Sequence, residues 1–245
     1  MTSGDGFTDA VGRGEIDSDI RPSAISTTDP QHELFEVLTA EGLPTGMSKR
    51  RGLVHRDGDW HGAVHIWVGG IGADGVPFVL FQQRSMTKDT WPGAFDVAVG
   101  GHVRFGETLE ESVREAEEEI GLRLRLNDLT AVGRRFAEGS RDGVVDREVQ
   151  SIFAVRSDLP LAQYRLHPEE VDAIVAIPIV DVQHLSTGSV SVVQAREYRR
   201  GGADETAITL TLEDFAIRNR QYEEAVLPAL LDVIEGRGVT PFELR

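Results

Sequence analysis

The sequence contains no cysteine among its 245 residues. This absence excludes a disulfide framework, a thiolate zinc site and a cysteine nucleophile. No apolar run approaches the ~20 residues that a helix needs to span a bilayer, and the first residues lack the basic-then-apolar order of a secretion signal. We therefore expect a cytoplasmic protein that has no membrane partner.

Positive charge is also scarce. Lysine and arginine total 25 against 41 aspartates and glutamates, which gives a formal net charge of −16. A surface of this sign repels polyanions, so nucleic acid and anionic lipid are excluded as general partners. A small phosphorylated ligand can still bind where a metal ion reverses the local charge.

Glutamate is abundant, and much of it lies in one short segment. Thr108 and Glu111 have the spacing of a capping box, and Gly121 suits the left-handed residue that ends a helix, so we predict one helix over residues 109–120. At about 100° per residue, the apolar side chains share one face and the glutamates share the opposite face. The apolar residues are Leu109, Val113, Ala116 and Ile120, and the glutamates are Glu111, Glu115, Glu118 and Glu119.

The glutamate face needs a positive charge that the helix does not supply. A solvated amphipathic helix normally alternates Glu and Lys, whereas Arg114 is the only cation inside this one. Hard divalent cations prefer carboxylate oxygens as ligands. We predict that Glu115, Glu118 and Glu119 hold Mg²⁺, with Mn²⁺ as an alternative. A helix whose glutamates are merely solvated is the competing interpretation.

These residues resemble the Nudix box, G-x5-E-x7-R-E-U-x-E-E-x-G-U, in which U is apolar. Gly101 and Glu107 match its first half, and residues 114–122 match its second half in full. Only six residues, instead of seven, separate Glu107 from Arg114. One missing residue rotates the preceding segment by about 100° relative to the glutamate face. We therefore expect Glu107 to lie off that face and the loop of residues 100–106 to absorb the change.

The resemblance extends to one branch of the Nudix family. Residues 46–67 and 82–102 are similar to type 1 isopentenyl diphosphate isomerase and to related diphosphate hydrolases. Arg84 and Lys88 match two cations that lie near the diphosphate in that branch. Guanidinium and ammonium groups both suit phosphate oxygens. Ordinary surface charge is the competing interpretation of this pair.

The same resemblance implies a second metal site and bears on the reaction. His55, His61, His102 and Glu148 match, in approximate spacing, the ligands of a second metal in the isomerase, and this donor set suits Mn²⁺ or another transition metal. Structural histidines are the competing interpretation. Where the isomerase has a cysteine, this chain has Gly100, which has no proton to give. Isomerisation is therefore disfavoured, and hydrolysis of a diphosphate remains.

The resemblance also implies catalytic roles. Glu115 and Glu118 would act together with Arg114, which would orient a neighbouring glutamate, while the general base would be a glutamate of the metal face, or Glu169 or Glu170. The implied function is Mg²⁺-dependent hydrolysis of a diphosphate linkage in a small phosphorylated metabolite. Nucleoside diphosphate derivatives and isoprenyl-type diphosphates both remain candidate substrates. The alternative is a non-catalytic metabolite-sensing module, although such modules often lack box glutamates that are all present here.

The pattern of the whole chain predicts an α/β fold, and the resemblance implies an α/β/α sandwich with a mixed central sheet. An N-terminal hairpin is predicted around Glu41 and Gly42. Near the C-terminus, an amphipathic helix is predicted over about residues 213–235, interrupted or kinked at Pro228.

Three segments follow from this pattern. We expect a flexible tail over residues 1–31, because this segment is rich in Gly, Ser, Thr and Asp. A Nudix domain is expected over residues 32–185. A C-terminal extension, helical in part, is expected to pack on it over residues 186–245. A homodimer is left open.

Overall fold

The computed structural model describes residues 28–30, 32–88, 90–141 and 144–245. Most of the predicted tail, residues 1–31, lies outside this part of the chain. Its described end is docked, because Thr28 donates its backbone N–H to the carbonyl oxygen of Thr87 at 3.1 Å.

Twelve strands in the described chain join one sheet. In chain order they are β1 (Leu34–Leu38), β2 (Pro44–Arg50), β3 (Trp60–Ile71), β4 (Pro77–Arg84), β5 (Phe95–Val97), β6 (Val99–His102), β7 (Thr130–Arg141), β8 (Val144–Arg156), β9 (Val171–Pro178), β10 (Val193–Arg199), β11 (Thr206–Leu210) and β12 (Phe242–Leu244). Along the main path the order is β11, β10, β9, β4, β3, β8, β7 and β12, and the other four strands attach beside it. The β3–β8 and β7–β12 pairs are parallel, whereas pairs such as β7–β8 and β4–β9 are antiparallel. The predicted mixed sheet is confirmed.

Helices lie on both faces of this sheet. Those in the described residues are α1 (Arg51–Asp57), α2 (Leu109–Ser112), α3 (Glu115–Ile120), α4 (Ile179–Ser186) and α5 (Arg220–Ile234). None of these helices is long and apolar enough to cross a bilayer.

Strand β3 contributes to two hydrophobic cores because successive side chains of a strand point to opposite faces. Val64 and Ile66 join one core with Ala116 of α3. Trp67 joins the other core with Tyr222 of α5. Burying a large apolar side chain contributes about 1.5–3 kcal/mol, so both helices are held on opposite sides of the sheet. This arrangement gives the predicted α/β/α layers.

The terminal segments differ in how well they were predicted. The hairpin around Glu41 and Gly42 is confirmed, since β1 and β2 pair in antiparallel fashion on either side of these residues. The predicted helix over residues 213–235 is too long. Helix α5 begins at Arg220 because the side chain of Asn219 caps it, accepting a 3.0 Å hydrogen bond from the backbone of Tyr222. Pro228 lies inside α5 and does not end it.

The predicted single helix over residues 109–120 is wrong, because the segment breaks into α2 and α3. Its caps are as predicted: Thr108 and Glu111 form the capping box, and Gly121 is left-handed. At the break, the backbone N–H of Arg114 bonds to Glu111 at 3.1 Å and that of Ala116 bonds to Val113 at 3.1 Å. These bonds span three residues instead of four, which winds the chain more tightly than an α-helix. We infer that this tighter turn, and not the loop before the helix, compensates for the residue that is missing from the box.

Candidate active site

A cavity of about 740 Å³ opens beside β6 and the start of α3. It brings together many side chains that were predicted from separate parts of the sequence. Those on its walls are Arg84, Lys88, His102, Glu115, Glu118, Glu119, Glu148 and Glu170. The other predicted residues, His55, His61, Arg114 and Glu169, are not among the described residues that line it.

Glu119 is the most deeply placed box glutamate, with 5% of its surface exposed. Its Oε2 accepts hydrogen bonds from the backbone of Gly100 and from Gln82 Nε2, each at 3.1 Å. Both donors are neutral. Burial, reinforced by the charge of Glu115, raises the pKa of Glu119 well above its usual value.

Glu115 reaches the cavity past Gly101, where the strand has no side chain. A Cβ atom at Gly101 would lie 2.5 Å from Glu115 Cγ, so any larger residue would displace the glutamate. This contact explains the first glycine of the box. Burial raises the pKa of Glu115 to about 7, although the neighbouring Arg114 opposes the shift.

Arg114 joins three glutamates of the box. Its Nε donates to Glu107 Oε1 at 2.8 Å, and its Nη1 donates to Glu118 Oε2 at 2.8 Å and also to Glu115. Glu107 therefore lies beside Arg114, and it is not among the described residues that line the cavity. Glu118 is half exposed at the mouth of the cavity.

The chemistry of Glu115 and Glu119 fits a divalent cation. Burial raises the pKa of both carboxylates, and the charge of Glu115 adds to the cost of ionising Glu119; a bound cation removes that cost. Within the described residues, however, the carboxylate oxygens of the three box glutamates do not lie as close together as the ligand atoms of His55, His61, His102 and Asp146.

The structure gathers the three predicted histidines into one cluster. One ligand atom from each of His55, His61, His102 and Asp146 lies within 4.8 Å of the others. His61 Nε2 is 3.4 Å from Asp146 Oδ1, and His102 Nε2 is 3.1 Å from Glu148 Oε1. Asp146 was not predicted. It faces the same way as Glu148 because the two residues are two positions apart on β8.

The protonation state of this cluster suits a metal. Burial lowers the pKa of His55 to about 4 and that of His102 to about 3, so both rings are neutral at neutral pH. Nε2 of His55 and Nε2 of His61 are buried and have no hydrogen-bond partner among the described residues. His61 Nδ1 lies 3.1 Å from the carbonyl oxygen of Asp59, which only accepts, so Nδ1 carries the hydrogen and Nε2 keeps a lone pair. Neutral imidazoles with a carboxylate form a fitting transition-metal set.

Arg84 and Lys88 line the cavity, and both are held by acidic partners. Arg84 Nη1 lies 3.2 Å from Asp96 Oδ2. Lys88 Nζ lies 2.6 Å from Asp29 Oδ1 and also contacts Glu170. The two cations are thus fixed at the wall rather than free on the surface.

Asp29, near the end of the predicted tail of residues 1–31, contacts the site. Its side chain is 1% exposed, and it pairs with Lys88 and, at 3.6 Å, with Arg51. No local pattern in the sequence marks this contact. The two candidate bases are also separated, because Glu170 lines the cavity whereas Glu169 is exposed outside it.

The sequence reasoning missed the polar floor of the cavity, which contains His65, Arg135 and Gln150. Arg135 and Gln150 face each other across the β7–β8 pair. The period-two pattern of these strands identifies a face, but it does not reveal which face lines a cavity.

Comparison with known proteins agrees with this architecture. The family model of the NUDIX domain matches residues 61–195, which is more than half of the chain. An uncharacterised Nudix hydrolase of Clostridium acetobutylicum is 30% identical over 206 residues, covering 82% of this chain and 98% of that protein. Nudix hydrolase 3 of Arabidopsis thaliana is 39% identical over 151 residues, covering 60% of this chain. The match covers only 19% of that plant protein's length.

Two further similarities were found, one to an enzyme sequence and one to a solved structure. The isopentenyl-diphosphate Delta-isomerase of Escherichia coli is 28% identical over 155 residues, covering 63% of this chain and 81% of that enzyme. A NUDIX hydrolase structure from Alicyclobacillus acidocaldarius covers 74% of this chain and 97% of its own, with 17% identity and a TM-score of 0.43. With the family match spanning more than half its length, this chain belongs to the Nudix hydrolase superfamily, in the branch that is similar to type 1 isopentenyl diphosphate isomerase.

Proposed function

We propose that this protein is a Mg²⁺-dependent hydrolase that cleaves a diphosphate linkage in a small phosphorylated metabolite. The observation that carries the proposal is the pair of glutamates with raised pKa values, Glu115 and Glu119, on the wall of a cavity that also contains Arg84 and Lys88. Carboxylates for a cation and cations for phosphate oxygens are the two requirements of phosphoryl-transfer chemistry.

In this proposal Arg84 and Lys88 bind the phosphate oxygens. The guanidinium group of Arg84 can contact two oxygens at once, and Lys88 supplies a point charge. Since Lys88 now contacts Asp29 and Glu170, the arriving phosphate replaces these carboxylates as its partner. The residues around Lys88 therefore keep the ammonium group in place before substrate arrives.

Glu115, Glu118 and Glu119 would hold Mg²⁺, or Mn²⁺ in its place. When bound, the cation neutralises charge on the diphosphate oxygens. The separate cluster of His55, His61, His102 and Asp146 would hold a second metal, with Glu148 beside it. Arg114 orients Glu115 and Glu118 through its hydrogen bonds.

Glu170 is the proposed general base. It lines the cavity, and it loses its ion-pair partner when Lys88 turns to a phosphate. A released carboxylate of this kind can accept a proton from the attacking water. In-line displacement at phosphorus then depends on positioning and charge stabilisation more than on covalent chemistry.

Isomerisation of isopentenyl diphosphate is the less favoured reading of the same relatives. The isomerase match is 28% identical, and this chain has glycine at position 100 and no cysteine at all. Every residue named above belongs to this one chain, so the proposed chemistry does not require a second copy. We place the reaction in the cytoplasm.

A substrate screen tests the proposal. Purified protein is incubated with nucleoside diphosphates, nucleotide sugars and isopentenyl diphosphate in millimolar Mg²⁺ or Mn²⁺, and products are followed by phosphorus NMR. We expect cleavage of at least one compound that stops when EDTA is added. Binding of a diphosphate without turnover under any metal would instead support a sensing module.

A further inference from the structure

His65, on β3, is a cavity residue that the mechanism proposed above does not use. It lines the cavity, with 7% of its surface exposed. Burial lowers the pKa of His65, and the positive charges of Arg135 and Arg84 act in the same direction. The ring is therefore neutral at neutral pH, so that one of its nitrogens donates a hydrogen bond and the other accepts one.

The hydroxyl group of Tyr222 determines which nitrogen of His65 donates. Trp67 Nε1 can only donate, and it does so to the Tyr222 hydroxyl oxygen at 2.8 Å. The hydroxyl hydrogen then has His65 Nδ1, 3.2 Å away, as its acceptor. Because Nδ1 accepts, the ring hydrogen is on Nε2. Within the described residues Nε2 has no hydrogen-bond partner, so this N–H group can bind an acceptor in the cavity.

Gly100 places this donor close to Glu119. His65 lies opposite Gly100 in the pairing of β3 with β6. A Cβ atom at Gly100 would lie 3.9 Å from His65 Nε2, so the absence of a side chain leaves the space beside Nε2 open. The backbone N–H of Gly100 donates to Glu119 Oε2 at 3.1 Å. One glycine residue therefore separates the Nε2–H group from the Glu119 carboxylate.

This position is next to the groups that would hold the diphosphate. In the proposed function the diphosphate lies against the metal ligand Glu119 and contacts Arg84. Glu119 is separated from His65 by Gly100 alone, and Arg84 is near enough for its charge to affect the pKa of His65. The acceptor that His65 Nε2–H meets in the occupied cavity is therefore an oxygen of the diphosphate.

We propose that His65 is a further catalytic residue, whose Nε2–H donates a hydrogen bond to an oxygen of the diphosphate group. This inference rests on the proposed function and deepens it. A donor that is fixed before the reaction stabilises charge on the phosphoryl oxygens without giving up its proton. Tyr222 is the positioning residue, because its hydroxyl group sets the tautomer of His65. Since Tyr222 lies on α5, outside the matched residues 61–195, the C-terminal segment contributes to the active site.

The first test observes the ring nitrogens of His65 directly. The full chain, labelled in its histidines with the heavy nitrogen isotope, is studied by NMR, and His65→Gln identifies the signals of His65. Without ligand, we expect a protonated Nε2 and an unprotonated Nδ1. Methylenediphosphonate, a diphosphate analogue that water does not cleave, should shift the Nε2–H signal when it is added with Mg²⁺. The signals of His184, an exposed histidine of α4, should stay unchanged.

The second test separates a hydrogen-bonding role of His65 from a packing role. Asparagine at this position keeps a polar atom near Nδ1 but has no N–H at the place of Nε2, whereas glutamine extends an N–H to that place. For the best substrate of the screen, we expect kcat/KM to fall about 100-fold in His65→Asn, the cost of losing one such donor. His65→Gln should be at least about tenfold more active than His65→Asn, because it restores a donor. His184→Gln should match wild type.

The third test concerns the positioning role of Tyr222. Tyr222→Phe removes the hydroxyl group, so His65 should lose its fixed tautomer and kcat/KM should fall about tenfold. Tyr164→Phe is the matched control, because the Tyr164 hydroxyl is also buried, in the other core, and bonds to Ser157 at 2.7 Å. Both variants lose a buried hydrogen bond, and their melting temperatures measure that loss. Only Tyr222→Phe should change the NMR signals of His65.

The outcomes separate this inference from the proposed function. A shift of the His65 Nε2–H signal by methylenediphosphonate, without hydrolysis of any diphosphate, supports the contact and contradicts the proposed function. Hydrolysis at the wild-type rate in His65→Asn supports the proposed function and overturns the inference. A hydrogen on Nδ1 in place of Nε2, an Nε2–H signal that the diphosphonate leaves unchanged, or equal losses in His65→Asn and His65→Gln also overturn it.

Discussion

Glu107 and Arg114 are joined across the break between α2 and α3, with Arg114 Nε donating to Glu107 Oε1 at 2.8 Å. The other carboxylate oxygen of Glu107 accepts from the backbone N–H of Arg104, also at 2.8 Å. Glu107 thus ties the loop before the helix to the arginine that contacts Glu115 and Glu118. In the proposed reaction Glu107 would act on the metal ligands through Arg114, without being a ligand itself.

Glu107→Gln should lower kcat by about tenfold, because Arg114 loses a charged partner and turns further toward Glu115 and Glu118. Steady-state kinetics at saturating Mg²⁺ measures this. Glu110→Gln is the matched control, since Glu110 is an exposed glutamate of α2, three residues after Glu107. Activity as low as that of a variant without a metal ligand would instead place Glu107 among the ligands.

Glu119→Gln should lower kcat by at least about a hundredfold while the protein stays folded. The amide keeps the shape of a buried side chain whose hydrogen-bond donors are neutral, so the fold does not depend on the charge. Glu117→Gln is the control, because Glu117 is exposed on the same helix and pairs with Arg123. Equal rates in wild type and Glu119→Gln would show that the glutamate face is not the reaction centre.

Millimolar Mg²⁺ or Mn²⁺ should raise the melting temperature by several degrees relative to EDTA. A cation that binds the folded carboxylates but not the unfolded chain stabilises by mass action, and about 100-fold excess over Kd contributes ~2.7 kcal/mol. In His61→Gln, the part of the Mn²⁺ effect that exceeds the Mg²⁺ effect should disappear. A melting temperature that neither ion changes would support a helix whose glutamates are merely solvated.

The metal-free protein should become less stable as the pH falls, in part because of His55. The pKa of His55 is about 4 in the folded protein, against an ordinary value of 6.5. Between these two values the unfolded chain binds a proton that the folded protein does not bind. Stability is therefore lost as pH falls from about 6.5 toward the folded pKa. From about pH 7 to about pH 5, wild type should lose roughly 2 kcal/mol more than His55→Gln, measured by urea unfolding in EDTA. Parallel pH profiles for the two proteins would mean that His55 titrates normally.

Structural features that depend only on neighbouring residues were predicted correctly from the sequence. The capping box at Thr108 and the left-handed Gly121 depend on residues within one turn, and both are observed. The break near Val113 is different, because it reconciles a shortened segment with contacts at both of its ends. The helical periodicity of the sequence does not reveal that constraint.

The other features that were not predicted depend on contacts between residues far apart in the sequence. Asp29 reaches Lys88 from 59 positions away, so no window of the sequence relates them. Arg134 and Arg135 are adjacent on a strand, and one of them must face the cavity. The sequence does not reveal which one, because that depends on the sheet partners of β7. Asp146 could have been found from its spacing of two residues from Glu148.

The central claim is that the glutamate face of this cavity drives attack of water on a phosphorus–oxygen anhydride. The most direct measurement runs the best substrate of the screen in water enriched in the heavy oxygen isotope and follows the products by phosphorus NMR. The account predicts one labelled oxygen in a phosphate product of the wild-type reaction with Mg²⁺, and no labelled product with EDTA or with Glu119→Gln. Label that appears at the wild-type rate in Glu119→Gln, or products without label on phosphorus, would contradict it.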